Sequence, residues 1–287
     1  MKAQHLILAA MWLGSAAAGL RSACADDRRE APPWLTEFLR AAPDRHEVRS
    51  GGVTAEYYSL RLRDSSSMHY SLRLVFVRMR PGSIRLHVQD VRRQGGVAEI
   101  VEQFSDSTND ILVVNGGFFG TNDGKRMTPM GLVVSGGKVA NAAWNWSTGG
   151  VLAEMGDGQI AITPIRSFRL SQSVREGLQS RPLLVKESLS AIGSDNHELA
   201  NRTAVAVCVD GSVLVAGAFS DDGRALSLYE FAAVLTNVQA VAGATVADAI
   251  NLDGGPGSHI YIPRLSLHLG GNALTYIPNM LRFSSTR

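Results

Sequence analysis

Apolar positions along this chain gather mainly in short runs broken by Gly, Pro, Ser and Asp, a pattern that predicts strands joined by tight turns. Residues 53–91 hold three such runs. They are separated by Asp64-Ser65-Ser66-Ser67 and by Arg80-Pro81-Gly82-Ser83, whose residues favour turn backbones, so the spacing predicts a meander of antiparallel strands. Val97, Ile100, Val101 and Phe104 then recur at helical spacing. The unbroken run Ile111-Leu112-Val113-Val114 reads as a strand buried on both faces, delivering the chain to Asn115. Between 130 and 163 the glycine pairs at 136–137 and 149–150, and Gly156-Asp157-Gly158, punctuate further hairpins. The clearest hairpin joins 203–209 to 213–216 through Asp210-Gly211, because Asp-Gly supplies the positive φ that such turns need. Ser227-Leu228-Tyr229-Glu230 is a capping box, followed by Phe231, Leu235 and Val238 on one helical face. A strand over 249–252 ends in Asp253, and another over 259–262 ends before Pro263. The expected fold class is α+β: a single domain with a mixed, largely antiparallel sheet and a few packed helices.

The two ends of the pattern behave differently. Lys2 precedes an apolar run over 6–20, the length of a signal-peptide core and short of the roughly 20 residues that span a bilayer. Ala23-Cys24-Ala25 offers small residues for cleavage, so 1–25 reads as a signal peptide. Residues 26–50 then read as a lead-in segment and 51–287 as the functional domain. A lipoprotein acylated on Cys24 is the rival, but Arg21 stands where such a site wants a leucine-like residue. The lead-in carries Trp34 and Phe38 in a stretch that suits a short helix packed on the body.

The leader contains two of the 28 Lys and Arg and none of the 26 Asp and Glu, so the remainder is formally neutral. A neutral domain lacks the basic footprint of a nucleic-acid binder. No second apolar span is visible, so the mature chain is expected to be exported, periplasmic or secreted, without a transmembrane anchor. Once Cys24 is removed only Cys208 remains, which excludes an internal disulfide; its apolar flanks predict a buried, inert thiol.

Two strands end in glycine-rich loops that carry polar side chains: Asn115-Gly116-Gly117-Phe118-Phe119-Gly120 and Asn251-Leu252-Asp253-Gly254-Gly255-Pro256-Gly257-Ser258-His259. Glycine exposes backbone N–H groups and lets a ligand approach, while the strand end fixes the adjoining Asn or Asp. Either loop alone is as easily a tight turn in which Asn115 or Asp253 bonds its own backbone. Their joint occurrence argues for a site. The second loop has no third glycine and no βαβ context, which excludes a dinucleotide fold. H-E-x-x-H, paired C-x-x-C and G-x-S-x-G are absent from the sequence, so zinc-protease and α/β-hydrolase chemistry have no support. Ser258 is a weak nucleophile candidate, and His259 is either a general acid or a hydrogen-bonded strand residue. Arg202, at the mouth of a strand, is placed to grip a phosphate or to form a structural ion pair.

Taken together, Asn115-Gly116-Gly117-Phe118-Phe119, Arg202-Thr203-Ala204, the helix start at 227–230 and Asn251-Leu252-Asp253-Gly254-Gly255 resemble the phosphodiester glycosidase family in order and spacing. Pro129-Met130-Gly131-Leu132 and Arg181-Pro182-Leu183-Leu184-Val185 resemble its intermediate blocks. The resemblance implies an exported hydrolase that cleaves a sugar-1-phosphate diester at the anomeric bond, on an envelope glycan or exopolysaccharide. It implies Asp253, Arg202 and Asn115 as catalytic, with Gly116, Gly117, Phe118, Thr203, Gly254, Gly255, Ser258 and His259 around the substrate.

A phosphomonoester leaving group has a second pKa of about 6 and hardly needs protonation, so one carboxylate and a cationic clamp can replace the usual carboxylate pair. Arg202 would hold phosphate. Asp253 would activate water or stabilise the oxocarbenium charge, and Asn115 would orient the substrate. A divalent cation, Ca²⁺ or Mg²⁺, held by Asp253 and Asn115 is the alternative, since hard cations favour such oxygens. One departure stands out: the family loop runs Asp-Gly-Gly-Gly-Ser-Ser, whereas Pro256 and Gly257 interrupt it here and Pro256 removes a backbone donor. A non-catalytic polysaccharide-binding protein on the same fold, with Trp144 and Trp146 stacking on sugars, is therefore the second reading. Full-length expression should yield protein beginning at Asp26 by intact mass; a chain starting at Met1 or lipidated on Cys24 would overturn the cleavage assignment.

Overall fold

The computed structural model describes residues 32–50, 52–62, 71–90, 104–106, 108–122, 126–270 and 277–286. Strands take 49% of these residues and helical turns 12%, so the molecule is sheet-rich and closer to all-β than to the expected α+β. Every strand pairing among the described residues is antiparallel, where a mixed sheet was expected. The signal-peptide reading and the helical spacing over 97–103 fall outside the described residues.

The largest sheet has eight strands, in the order β1 (Asp44–Ser50), β2 (Val53–Arg61), β3 (Arg73–Met79), β16 (Val213–Phe219), β15 (Arg202–Cys208), β17 (Val246–Asn251), β13 (Leu183–Lys186) and β14 (Leu189–Ser190). A second sheet runs β19 (Leu267–Gly270), β18 (His259–Ile262), β5 (Asp110–Asn115), β20 (Asn279–Ser285) and β4 (Ile84–Asp90). A third runs β11 (Ile160–Pro164), β10 (Gly150–Met155), β12 (Val174–Ser180), β8 (Val133–Ser135) and β9 (Lys138–Asn141), and β6 (Phe119–Asn122) pairs with β7 (Arg126–Pro129).

The expected meander is present with different members. β2 and β3 pair as predicted, but β4 crosses to the second sheet and the third member is β1, from the supposed lead-in. Its sequence, Asp-Arg-His-Glu-Val-Arg-Ser, hides the strand because β1 is an edge: charged residues there discourage pairing with other chains, and Arg45 reaches across to Glu56.

Period-two alternation in the large sheet divides its side chains between two cores. Leu74, Phe76, Ala204, Ala206, Leu214 and Ala216 face one side, where α1 (Pro33–Leu39), α2 (Leu228–Thr236) and α3 (Gln239–Ala242) cover them. Val75, Val77, Val205, Val213 and Val215 face the other, against Leu112, Val114, Ile260 and Leu281 of the second sheet and Leu152 and Leu178 of the third. The two predicted helices that lie within the described residues form. Phe38 of α1 is buried, and Ser227 caps α2 by accepting from the Glu230 N–H while the Glu230 carboxylate accepts from the Ser227 N–H. The hairpin at Asp210-Gly211 closes with Gly211 at φ 78°, the region that glycine reaches without strain. Cys208 is buried and free, and burial raises its thiol pKa, so it stays unreactive.

The second and third sheets meet through carboxylates. β4 is an edge strand whose outward N–H groups have no strand partner; the N–H of Leu86 donates to Glu154 of β10, and that of Val88 donates 2.9 Å to Glu176 of β12. Glu176 also accepts from the Gly136 N–H at 2.9 Å. Buried N–H groups left without acceptors cost about 1–3 kcal/mol each. Glu176→Ala, which leaves the buried Val88 N–H without an acceptor while the Gly136 N–H is exposed, should lower unfolding free energy by about 1–3 kcal/mol in urea titration; no measurable loss would show that this carboxylate does not join the sheets.

Candidate functional site

The site grows from the end of β5. Four buried apolar residues, Ile111 to Val114, pack this strand between β18 and β20, and its last residue, Asn115, is completely buried. A buried primary amide must satisfy its donors and acceptor inside the protein. Asn115 Nδ2 donates 2.7 Å to the Asp253 carbonyl, and Oδ1 accepts from Thr203 Oγ1 at 2.8 Å and from the His259 N–H at 3.0 Å. One side chain thus ties the start of β15, the loop after β17 and the start of β18 to the end of β5.

The next two residues are glycines for steric reasons. A Cβ on Gly116 would lie 1.8 Å from Asn279 Oδ1, and one on Gly117 would lie 2.9 Å from the Gln179 carbonyl. The Gly117 N–H donates 2.7 Å to Asn279 Oδ1, the Gly116 N–H donates 3.0 Å to the Asn279 carbonyl, and the Asp253 N–H donates 3.0 Å to the Gly116 carbonyl. The two glycine-rich loops singled out by sequence are therefore hydrogen-bonded neighbours.

Asp253 is half-buried, and its carboxyl pKa is pushed up to about 6 by desolvation, offset in part by the N–H of Gly254. Among the described residues no cation pairs with it. Arg202 lies next to Gly254: a Cβ at 254 would stand 3.2 Å from its Nη1. Backbone carbonyls hold the guanidinium, with Nε donating 3.1 Å to Leu226 and Nη2 donating 2.7 Å to Glu198, while Nη1 makes no hydrogen bond among the described residues. Burial lowers the Arg202 pKa from its ordinary value, which still leaves it a cation near neutral pH.

The remaining predicted residues divide by exposure. Gly254 and Gly255 are half-exposed on the loop, and Gly255 takes φ 70° to start a 3₁₀ turn over Gly255–Gly257 that contains Pro256. Thr203 and Ser258 are fully buried; Ser258 Oγ donates 2.9 Å to the Asn201 carbonyl, and Asn201 also accepts from the Gly255 N–H. His259 is buried, with its ring 6.1 Å from that of His268. Phe118 leaves the Gly117 loop for a separate aromatic group with Trp146, 6.2 Å between ring centroids. Asn115 Oδ1, the oxygen that a cation shared with Asp253 requires, is already occupied by two donors. Among the described residues no group of three or more His, Cys, Asp or Glu gathers in one place. The donor set at this pair does not fit a hard cation.

Two contributors were not singled out by sequence. Asn279, opening β20, clamps both glycines. Gln179 of β12, nearly fully buried, accepts from the N–H groups of Leu132 and Trp144 and donates 2.7 Å to the Trp144 carbonyl. The available signal was a polar amide inside an otherwise apolar run, as in Pro278-Asn279-Met280-Leu281.

A strand-end amide that clamps two glycine loops around one desolvated carboxyl and one arginine defines the class of site, and comparison with known proteins gives the family. The phosphodiester glycosidase family model matches residues 108–283, so the chain belongs to the phosphodiester glycosidase family. Its fold is similar to that of the zebrafish N-acetylglucosamine-1-phosphodiester alpha-N-acetylglucosaminidase catalytic domain auto-inhibited by pro-peptide, at TM-score 0.59 and 15% identity over 91% of this chain and 96% of that one. It is also similar to a hypothetical protein from Synechocystis (TM-score 0.56, 14% identity, 85% of this chain and 64% of that one). A Burkholderia pseudomallei protein provisionally described as exported gives TM-score 0.57 and 13% identity over 74% of each chain. A search among curated proteins gives no match. Among the described residues no helix is long and apolar enough to cross a membrane.

The raised Asp253 pKa carries a stability consequence with a definite sign. Its folded value, about 6, lies above the ordinary 3.8, so the contribution to stability is complete below pH 4 and is lost as pH rises through 6. Asp253→Asn should be more stable than wild type at pH 7.5, by up to about 3 kcal/mol, and equal to it near pH 4. Equal melting temperatures for the two proteins at pH 7.5 would contradict the desolvated carboxyl.

Proposed function

We propose that this protein hydrolyses a glycosyl phosphodiester at the bond between the anomeric carbon and phosphate, acting outside the cytoplasm on an envelope or extracellular glycan. The observation that carries the proposal is a desolvated carboxyl, Asp253, beside Gly254, which also borders Arg202, an arginine that among the described residues has no hydrogen bond at Nη1 and no ion pair with Asp253. In an ordinary glycosidase two carboxylates flank the scissile bond. Here one carboxylate and one arginine border the same residue, Gly254, which suits a substrate whose leaving group is already anionic. Family membership supports the reaction type, and the signal-peptide-like sequence of residues 1–25 together with a structurally similar protein described as exported supports the location.

In this reading Arg202 Nη1 binds a phosphate oxygen and neutralises charge that grows on the leaving phosphomonoester. Asp253, ionised above pH 6, takes a proton from the water that attacks the anomeric carbon. Water supplies the new C–O bond and the anomeric carbon–phosphate oxygen bond breaks. Asn115 acts as a positioning residue: it holds the Asp253 backbone and leaves no amide atom over for substrate. Gly116 and Gly117 let their loop pack against Asn279 and Gln179, Gly254 leaves room for Arg202, Gly255 supplies the positive φ of the loop, and Thr203, Ser258 and His259 brace the loops. Because Asn115 is saturated, no metal step is assigned to the pair.

The test is hydrolysis of α- and β-linked glycosyl phosphodiesters by the chain lacking residues 1–25, with and without chelator. Wild type should release free sugar, and kcat/KM should rise with pH through about 6 as Asp253 ionises. Asp253→Asn should lose about 10²–10⁴-fold in kcat, and Arg202→Ala about 10²–10³-fold. In labelled water the label should enter sugar; label in phosphate would mean P–O cleavage and a different reaction. Silence across the panel with sugar binding intact would leave the fold as a polysaccharide-binding module.

A further inference from the structure

Beside the Asp253 loop lies a second group of side chains that the reaction does not use. Arg181 projects over two rings, its Cζ 4.8 Å from the centroid of Trp146 and 5.8 Å from that of Phe118. Trp144 stands 6.3 Å from Trp146 at 61° and is 46% exposed, the more open of the two indoles. An exposed tryptophan on an irregular segment ordinarily has several orientations. Here its backbone is fixed at two points by buried Gln179, whose Oε1 accepts from the Trp144 N–H at 2.9 Å and whose Nε2 donates to the Trp144 carbonyl at 2.7 Å. A partly exposed indole is thus carried on a fixed backbone, as stacking surfaces for ligands are.

Arg181 is exposed, and no carboxylate or carbonyl among the described residues accepts from its guanidinium. Other arginines of the molecule do have acids: Arg45 with Glu56, Arg78 with Asp210, Arg85 with Glu154 and Arg282 with Asp110. The rings hold the guanidinium beside them, and its N–H donors, without an acceptor among the described residues, suit a planar or tetrahedral anion.

The group is coupled to the reaction site through backbone. The Arg181 carbonyl accepts from Asn251 Nδ2 at 3.1 Å, and Ser180 Oγ donates 2.6 Å to the Asn251 carbonyl, two residues before Asp253. Phe118 follows Gly117 directly. The aromatic platform and Asp253 therefore flank the same glycine loop.

We infer that Phe118, Trp144, Trp146 and Arg181 form a binding subsite for a sugar ring that carries an anionic substituent, so that the substrate is an acidic glycan. The ring's C–H face would lie on Trp144 and its carboxylate or phosphate would meet the Arg181 fork. As an extension of the glycosidase reading, the inference rests on one ligand reaching both places, yet its test needs no turnover.

Binding is measured by tryptophan fluorescence and calorimetry in the Asp253→Asn protein, which keeps any substrate intact. Probes are trigalacturonate, the same trisaccharide with its carboxylates methyl-esterified, maltotriose and maltotriose carrying a 6-phosphate. At least one acidic probe should bind about tenfold tighter than its neutral counterpart, and which pair shows the preference distinguishes carboxylate from phosphate. Arg181→Met should erase the preference, and Trp144→Ala should weaken acidic and neutral probes alike by about fivefold or more. Because both residues are exposed, an unchanged melting temperature serves as the folding control. Equal binding of acidic and neutral probes, an Arg181→Met protein that keeps the preference, or no binding of any probe would overturn the subsite. Should acidic probes bind through Arg181 while every phosphodiester stays intact, the catalytic reading fails and the subsite stands.

Discussion

Much of the functional end of this molecule depends on one buried amide. Asn115 sits at the end of a strand with no solvent access, where an unsatisfied donor or acceptor would cost kilocalories. It reaches satisfaction by holding together four pieces of chain: its own strand, Thr203 at the start of β15, the Asp253 carbonyl and the His259 N–H. None of these segments can relax alone without breaking a buried bond. The position of the Asp253 carboxyl is therefore set from the interior outward, and the loop glycines are permissive only because Asn279 and Asn115 restrain what they allow.

Amides recur around the site. Asn115, Asn279, Gln179, Asn251 and Asn201 each bridge backbone groups of different strands or loops. A side-chain amide donates and accepts at once and does not titrate, so this scaffold keeps its geometry across pH. Among these groups it is the Asp253 carboxyl whose pKa is raised by desolvation. Carboxylates perform the analogous joining task elsewhere, where Glu154 and Glu176 close the edge of β4. The Pro256 departure falls within this arrangement. Pro256 is exposed within a 3₁₀ turn, and the loop returns to the common frame at Ser258, which bonds Asn201 from a fully buried position.

The sequence by itself determined most of the elements: the capping box of α2, the Asp210-Gly211 hairpin, the central run ending at Asn115 and the strand ending at Asp253 are local patterns, written in neighbouring residues. Family resemblance was legible for the same reason, since its blocks are short and contiguous. Tertiary structure alone decided the partners. Nothing local sends β4 to the second sheet or makes a charged segment into β1, because strand pairing is a contest among distant edges. Nor does spacing reveal that Asn115 would be saturated by Thr203 and His259, that Asn279 would press on Gly116, or that Arg181 would lie over Trp146. Those contacts join residues far apart in the chain, and only the folded packing brings their atoms within hydrogen-bonding or stacking distance.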